Sequence, residues 1–336
     1  MAVVTRYVNT AAGAGGDGTT NATSSGDGTH AYVSLSAWEA SEETNLVTDT
    51  DTHIVNCTGT SADTTKFAIF TWTTNATYFI TVNGENTTGA YSTSDYRLET
   101  STAGGYENCF DIREDYTVVN DIQLQHSVGH SSSNGFFVTG ATDPTFNRCI
   151  SKAVVTAGSF CKGFSVDVAG LKMAGCLAYD WTGSSHVGVL TTSGSPTPYV
   201  YNTTVDNCTA GFQTGGSGAI IRNSVAQNCG TNNGFIGTWA SGTSHNASDD
   251  TSDAPGTSPQ TGTVTFVDLA GEDYQPASGD TVIKENGVDL SGTFDFDLAG
   301  NSWPATWSIG CLIPAVAATG GIRNPFGGPL SMRSPI

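Results

Sequence analysis

The chain has 336 residues, enough for one large domain or two small ones. Its 31 acidic residues outnumber its 12 basic residues and give a formal net charge of −19; such a surface repels nucleic acid and anionic lipid, which excludes a protein that binds a phosphate backbone. Only 13% of the residues are charged and 41 are glycine, a composition that favours short strands joined by many turns over long helices.

Targeting signals and a disulfide scaffold are also not expected. No run of about 18 apolar residues occurs, so we predict no membrane span. The first residues, MAVVTRYVNT, lack the basic and apolar regions of a Sec signal peptide. Eight cysteines in a chain of this length, with no export signal, predict reduced and buried thiols.

The first predicted element is a helix within residues 1–50, which we interpret as an N-terminal arm and helical cap. The segment SLSAWEASEE has capping-box spacing between Ser36 and Glu39, and Leu35 and Trp38 lie on one face. We expect Trp38 to close the start of the strand-rich region that follows, because the open end of a sheet must be covered.

Residues 51–240 carry a repeat. After the early strand-like segments HIVNC, FAIFTW and TYFITVNG, a glycine followed by a hydrophobic residue recurs every 23 to 28 residues from Gly135-Phe136 to Gly234-Phe235. A repeat of this length predicts an all-β fold, a parallel β-helix in which each coil contacts mainly its neighbours. One residue per coil then stacks as a core ladder, formed by Phe110, Phe136, Phe164, Val189, Phe212 and Phe235.

Four cysteines recur near strand ends of this region. They are Cys149, Cys176, Cys208 and Cys229. We expect them to stack inside the coil as small thiols, and the missing CxxC pair argues against a metal site.

The repeat breaks at about residue 241. Residues 241–313 combine a polar loop, the strand-like VTFVDL and the segment DLAGNSWPATWSIG. We predict that Trp303 and Trp307 of this segment close the end by packing over the last coils; a sugar-stacking patch and a catalytic loop are the alternatives. Residues 314–336, rich in glycine and proline, are predicted to form an extended docking arm.

The order RYVNT, GDGT, AYVSLSAWEA, coil repeats, and then TFVDLAGEDYQPASGD and DFDLAGNSWPATWSIG resembles a group of right-handed β-helix proteins of tailed bacteriophages and bacterial surfaces. The closing motif of that group reads D-x-D-G-x-x-R-P followed by W-D-I-G-A. Here Trp303 replaces its Arg, Ser308 the Asp that follows its Trp, and Cys311 its final Ala. The resemblance covers residues 5–311 and is informative about architecture rather than function.

The sequence NPFGGPLSMR in the arm looks like the docking tails of phage virion proteins. The resemblance implies assembly contacts in this arm, at Arg323, Asn324, Pro325, Phe326 and Arg333.

Some carboxylate pairs could form a glycoside hydrolase site, because that reaction needs two acids about 5 to 9.5 Å apart. Asp167 with Asp180, and Glu114 with Asp111 or Asp115, are the candidate pairs. In a chain with 31 acids such pairs arise by chance, so we assign no catalytic residue.

Basic residues, histidines and a cluster of acids are the candidates for a lyase site or a metal site. The basic residues considered for a lyase are Arg113, Arg148, Lys152 and Lys162, and ordinary solvated or paired side chains are expected there. We expect His126, His130 and His186 to be exposed in turns. The acids Asp249, Asp250 and Asp253 match no EF-hand pattern. We therefore expect no metal and no cofactor.

From these observations we expect a non-enzymatic structural protein of a tailed-phage virion, most simply a capsid decoration (cement) protein on the outer surface, made in the host cytoplasm. Its partners would be the major capsid protein or other virion proteins, with a homotrimer and a host surface glycan left open, and neither nucleic acid nor membrane. The alternative is a tail fibre or tailspike-type protein that binds or depolymerises polysaccharide as a lyase or glycoside hydrolase. A bacterial adhesin ranks third because it requires an export signal.

Overall fold

The chain forms a parallel β-helix, which confirms the predicted all-β fold class. The computed structural model describes residues 2–315 apart from 87, 102–106, 157, 193–195, 217, 231–232 and 251–252. Between residues 51 and 236 each coil contributes one strand to each of three sheets, and every strand pair within those sheets is parallel. Short β-branched and aromatic segments fit this arrangement because alternate side chains point into the coil.

The first sheet runs along one side of the coil and has eight strands. In spatial order they are β1 (Ala2–Asn9), β2 (Asp51–Thr58), β5 (Ile80–Asn83), β8 (Val118–Asn120), β11 (Thr145–Asn147), β14 (Lys172–Ala174), β17 (Tyr199–Tyr201) and β20 (Ile220–Arg222). Strand β1 lies in the region predicted as an N-terminal arm and pairs along its whole length with β2.

The second sheet has nine strands and the third has seven. The second contains β3 (Ala62–Asp63), β6 (Arg97–Ser101), β9 (Gln123–Val128), β12 (Ile150–Thr156), β15 (Leu177–Tyr179), β18 (Thr204–Asp206), β21 (Val225–Gln227), β23 (Ala247–Ser248) and β24 (Gln260–Thr261). The third contains β4 (Phe67–Ile69), β7 (Asn108–Ile112), β10 (Asn134–Thr139), β13 (Lys162–Asp167), β16 (Val187–Thr192), β19 (Ala210–Gly215) and β22 (Phe235–Ile236). The coil therefore continues to residue 261, whereas the sequence analysis predicted that it ends at residue 240.

Phenylalanines stack along the inside of the third sheet. Strand register aligns Phe110 with Phe136, Phe136 with Phe164, Phe164 with Val189, Val189 with Phe212, and Phe212 with Phe235. Phe67 precedes them, with its ring centroid 4.8 Å from that of Phe110. These side chains are buried, so this ladder is the hydrophobic core of the coil.

The N-terminal end of the coil is covered by helix α1 (Leu35–Glu42), which is followed by the short α2 (Leu46–Asp49). The ring of Trp38 lies 6.2 Å from Phe67 and 5.5 Å from Trp72. The predicted capping box is wrong: Ser34 is the N-cap, accepting from the backbone NH of Ala37 at 3.1 Å. Ser36 instead donates its hydroxyl to the carbonyl of Lys66.

The segment after residue 261 packs along the outside of the coil. A hairpin of β25 (Phe266–Asp268) and β26 (Asp273–Pro276), joined by a 3₁₀ turn at Leu269–Gly271, covers the second sheet. Farther along, Trp303 and Trp307 stack with ring centroids 4.9 Å apart. They pack beside Tyr201 on the outer face of the first sheet, which places them on the flank of the last coils rather than across the open end.

Buried Asp297 fastens residues 280–313, which we call the closing segment. Its carboxylate accepts from the backbone NH groups of Asn301, at 2.7 Å, and Ile313, at 3.1 Å. The second acidic position of the closing motif thus has a structural role of its own.

No helix among the described residues is long and apolar enough to cross a bilayer. Residues 316–336, including the predicted contacts Arg323, Asn324, Pro325, Phe326 and Arg333, lie outside the described residues.

Candidate functional site

A single row of polar and aromatic side chains runs along the outer face of the second sheet. Successive strands align these residues in register, and we call the row the Glu99 column. The alternate residues, such as Leu98, Leu124 and Val205, point into the core. The members of the column are Glu99, Gln125, Lys152, Tyr179, Asp206 and Gln227.

The hairpin, which with its flanking residues 264–276 we call the strap, crosses the C-terminal half of this column. Gln227 holds its start, donating from Nε2 to the carbonyl of Val264 and accepting the Val264 NH at 2.6 Å. The ring of Tyr274 packs 5.2 Å from Tyr179 and 5.4 Å from Phe266. Hydrogen bonds and aromatic contacts together fix the strap against the sheet.

Strap and sheet enclose an open cleft of about 440 Å³, which we call the strap cleft. Three carboxyl groups converge there, together with two tyrosines and two asparagines. The lining residues are Tyr179, Asp180, Asp206, Asn207, Asn228, Leu269, Ala270, Glu272 and Tyr274. Convergent acids in a cleft are typical of an acid–base site.

Asp206 is the most perturbed acid of the strap cleft. It is only 3% exposed, and this burial, reinforced by the Asp180 carboxylate, raises the pKa of Asp206 to about 6. Asn228 Nδ2 donates to its Oδ1 at 2.7 Å and the Tyr274 hydroxyl to its Oδ2 at 3.2 Å. Asp206 can therefore hold a proton near neutral pH and is fixed in orientation by two donors.

Asp180 lies beside Asp206 at the corner that follows β15, where the chain leaves the second sheet. Its backbone NH bonds the carbonyl of Asp206 at 3.2 Å, and its Oδ1 accepts from Asn207 Nδ2 at 2.7 Å. Asp180, Asn207 and Asn228 all have left-handed backbone, with φ of 63°, 48° and 53°. Short Asp and Asn side chains tolerate this conformation, so the sharp corner itself selects polar residues that face the cleft.

Glu272 enters the cleft from the strap, also with left-handed backbone at φ 63°. Its Oε2 accepts from the Tyr179 hydroxyl at 2.5 Å, and its Oε1 pairs with Lys152 Nζ. The Lys152 ammonium also lies 5.2 Å from the Tyr91 ring and 5.5 Å from the Tyr179 ring. A non-glycine residue held in this conformation by two side-chain partners, Tyr179 and Lys152, is typical of a functional position.

The other acids weighed from the sequence lie apart from this cleft. Asp111 pairs with Arg113 at 2.9 Å. Burial and the Asp115 carboxylate raise the pKa of Glu114 to about 7. The side chain of Asp167, proposed as the partner of Asp180, lies outside the described residues, and Asp206 is the neighbour that the structure gives to Asp180.

The basic candidates are partly explained by structure. Arg148 forms a bidentate ion pair with Asp121, with both N–O distances at 2.6 Å, and Lys152 pairs with Glu272. Burial lowers the pKa of Lys162. None of these three is an unpaired base in the strap cleft.

Two of the three histidines expected in exposed turns are buried, so that expectation is wrong for His126 and His186. Both are 0% exposed, whereas His130 is exposed. His126 bonds Thr100 and stacks on Trp181, and His186 bonds the carbonyl of Gly158. His126 lies in β9, where alternate residues point inward, whereas His186 precedes β16 and is buried against the carbonyl of Gly158.

The acidic loop has backbone partners. Asp249 accepts from the NH of Asn228 at 2.8 Å, and Asp253 from the NH of Gly234 at 2.7 Å. Within the described part of the chain, no group of His, Cys, Asp and Glu has the geometry of a metal site.

Sequence reasoning missed Asp206, Glu272, Tyr179 and Tyr274. The spacing between Tyr179 and Asp206 equals one coil, as the strand register shows, so aligning the repeats would have placed these two side by side. Nothing local in the sequence places Glu272 and Tyr274 against them, because that contact depends on where the strap folds back.

Comparisons with known proteins return little. No family model matches the chain, and no curated protein matches it. Among solved structures, the chain is similar to pectate lyase Pel9A, with 11% sequence identity and a TM-score of 0.39, over 94% of this chain and 97% of that one. That protein is an enzyme by name, which overturns our expectation of a non-enzymatic protein: a β-helix is a scaffold that also carries catalysis, and the fold cannot exclude it. The chain is thus a parallel β-helix protein whose catalytic capacity must be judged from its own side chains.

Proposed function

We propose that this protein binds a polysaccharide in the strap cleft and hydrolyses its glycosidic bonds. The observation that supports this most is Asp206, a buried carboxyl group with a pKa of about 6 beside a second carboxylate, Asp180, in an open cleft. One acid that keeps its proton and one carboxylate are what glycoside hydrolysis requires.

In the proposed reaction Asp206 gives its proton to the glycosidic oxygen as the bond from that oxygen to the anomeric carbon breaks. Water adds to the anomeric carbon, and Asp180 takes the proton that this water loses. Asn228 and Tyr274 hold the Asp206 carboxyl in place. Leu269, whose side chain is exposed, supplies apolar surface for the face of a sugar ring.

Hydrolysis is favoured over a lyase reaction by the charges in the cleft. A lyase abstracts a proton next to a carboxylate and needs a basic group for it. Lys152, the cation nearest the cleft, is held by Glu272 and two tyrosine rings, whereas acids dominate the lining.

The test is cleavage of bacterial capsular and O-chain polysaccharides, followed by release of reducing ends. Asp206→Asn should lower the rate by at least roughly 100-fold, because the amide cannot supply the proton. Asp289→Asn, at an exposed position on the closing segment, is the matched control and should keep full activity. Equal activity of the two variants would contradict the assignment.

We also propose that the protein is carried on the outer surface of a tailed-phage particle, as a capsid decoration protein bound to the major capsid protein or another virion protein. Support comes from the resemblance of residues 295–311 to the closing motif of phage β-helix proteins. Assembly in the host cytoplasm and a homotrimer fit this location, where the strap cleft would meet glycans of a host surface. Deleting residues 316–336 should abolish binding to capsids and leave the coil folded; a truncated protein that binds normally would refute the docking role.

A further inference from the structure

A second cleft lies on the same outer face of the second sheet, nearer the N-terminal end. It has a volume of about 600 Å³, and we call it the N-terminal cleft. Its walls carry hydroxyl and amide groups, the ammonium of Lys66 and the carboxylate of Glu99, and the one apolar side chain, Val154, is 36% exposed. The lining residues are Thr64, Lys66, Glu99, Thr100, Ser101, Gln125, Ser127 and Val154.

The Glu99 column connects this cleft to the strap cleft. Gln125 of the N-terminal cleft aligns with Lys152, and Lys152 aligns with Tyr179 of the strap cleft. The same path is bridged by side chains, because the Tyr91 hydroxyl donates to Glu99 at 3.0 Å and the Tyr91 ring faces Lys152. From β3 to β21 the two clefts span six strand spacings, or about 29 Å.

The cations along this path are already paired with carboxylates. The pairs are Lys66 with Glu107, Arg97 with Glu99, and Lys152 with Glu272. The acids of the strap cleft add negative charge beyond these pairs. A polymer that carries carboxylates would therefore meet repulsion along this face rather than a counter-charge.

We infer that the substrate is a polysaccharide without acidic sugars and that one chain spans both clefts, so that the N-terminal cleft binds sugars several units from the bond cleaved in the strap cleft. This inference rests on the proposed hydrolase function. Hydroxyl groups of Ser101 and Ser127 and the amide of Gln125 offer both donors and acceptors to sugar hydroxyls. Exposed Val154 matches the apolar face of a sugar ring.

The substrate class is tested with a glycan array that contains neutral, amino-sugar and uronic-acid polysaccharides. The protein should bind neutral or amino-sugar polymers, and its affinity for uronic-acid polymers of similar length should be at least about tenfold lower. Preferential binding of uronates would overturn the inference. An array with no bound glycan would count against the proposed function itself.

The N-terminal cleft is tested by Ser127→Tyr, which fills it without touching the strap cleft. With oligosaccharides cut from the bound glycan, the variant should bind long chains about tenfold more weakly, while two-sugar fragments, which reach only the strap cleft, bind as before. Gln213→Tyr, on the outer face of the third sheet, is the matched control and should bind both lengths normally.

Binding in the N-terminal cleft and catalysis in the strap cleft can be disproved separately. If Ser127→Tyr binds long chains as well as the unmodified protein does, and thermal unfolding shows both folded, the N-terminal cleft is not part of the binding surface. If Asp206→Asn cleaves normally, the proposed catalytic site is wrong whatever the N-terminal cleft binds.

Discussion

Burial shifts single titratable side chains in opposite directions on the two faces of the second sheet. On the outer face it raises the pKa of Asp206 to about 6. On the inner face it lowers the pKa of His126 to about 4, and the imidazole, 0% exposed, bonds Thr100 at 2.7 Å. In each case the uncharged form is favoured, which suits an acid catalyst on one face and a packed core on the other.

His126 makes the fold sensitive to acid. Its folded pKa lies below the value near 6.5 of an unfolded chain, so the unfolded chain binds a proton first as the pH falls. Between pH 6.5 and 4 the free energy of unfolding should therefore drop by roughly 3 kcal/mol through this residue. Denaturant titrations across this range measure the drop.

His126→Gln should make the pH dependence of unfolding shallower by roughly this amount, whereas His130→Gln, at an exposed turn, should leave it unchanged. A His126→Gln variant with the original pH dependence would show that another group is responsible.

At the scale of elements, the strap and the closing segment are held by contacts distant in sequence. The strap is fixed by Gln227, and its Glu272 bonds Tyr179 and Lys152. Asn202 donates from one amide nitrogen to the carbonyls of Ser308 and Gly310. The candidate site therefore depends on contacts between the coil and segments that lie far from it in sequence.

Asp297 provides a test of this attachment. Asp297→Ala removes the acceptor of two backbone NH groups in a buried place, which should destabilise the closing segment by roughly 2 to 4 kcal/mol. Hydrogen exchange should increase in residues 280–313 and stay slow in the ladder strands. Exposed Asp289→Ala is the control, and unchanged exchange in Asp297→Ala would contradict the role of this carboxylate.

These elements also mark what sequence could predict. The coil is visible because its repeat is local: each glycine and phenylalanine pair recurs at one coil length, and Trp38 lies on the helical face that packs on Phe67. The strap cleft is not visible, because Glu272 meets Tyr179 across 93 residues of chain. His126 is buried because it occupies an inward-facing position of β9, and its turn-like flanking sequence led to the prediction of an exposed turn.

At the scale of the whole molecule, stability accumulates from coil to coil. The rings of Phe136 and Phe164 stack with centroids 4.8 Å apart, and those of Phe212 and Phe235 are 5.0 Å apart. Since each coil contacts mainly its neighbours, a lesion in the middle of the ladder separates two halves that otherwise support each other.

Phe164→Ala should lower the free energy of unfolding by about 3 to 5 kcal/mol, because the vacated volume is enclosed by Phe136 and Phe146. Phe160→Ala, whose side chain is 58% exposed, should cost less than about 1 kcal/mol. Urea unfolding of the two variants compares them directly, and similar losses would argue against the ladder as the main core.

The Glu99 column contributes one outward side chain per coil, in register from β6 to β21. Gain or loss of one whole coil by genetic duplication or deletion would keep strand pairing intact and would lengthen or shorten the column by a single position. Such a protein can acquire a different reach along a polymer in one step, without redesigning its hydrophobic interior.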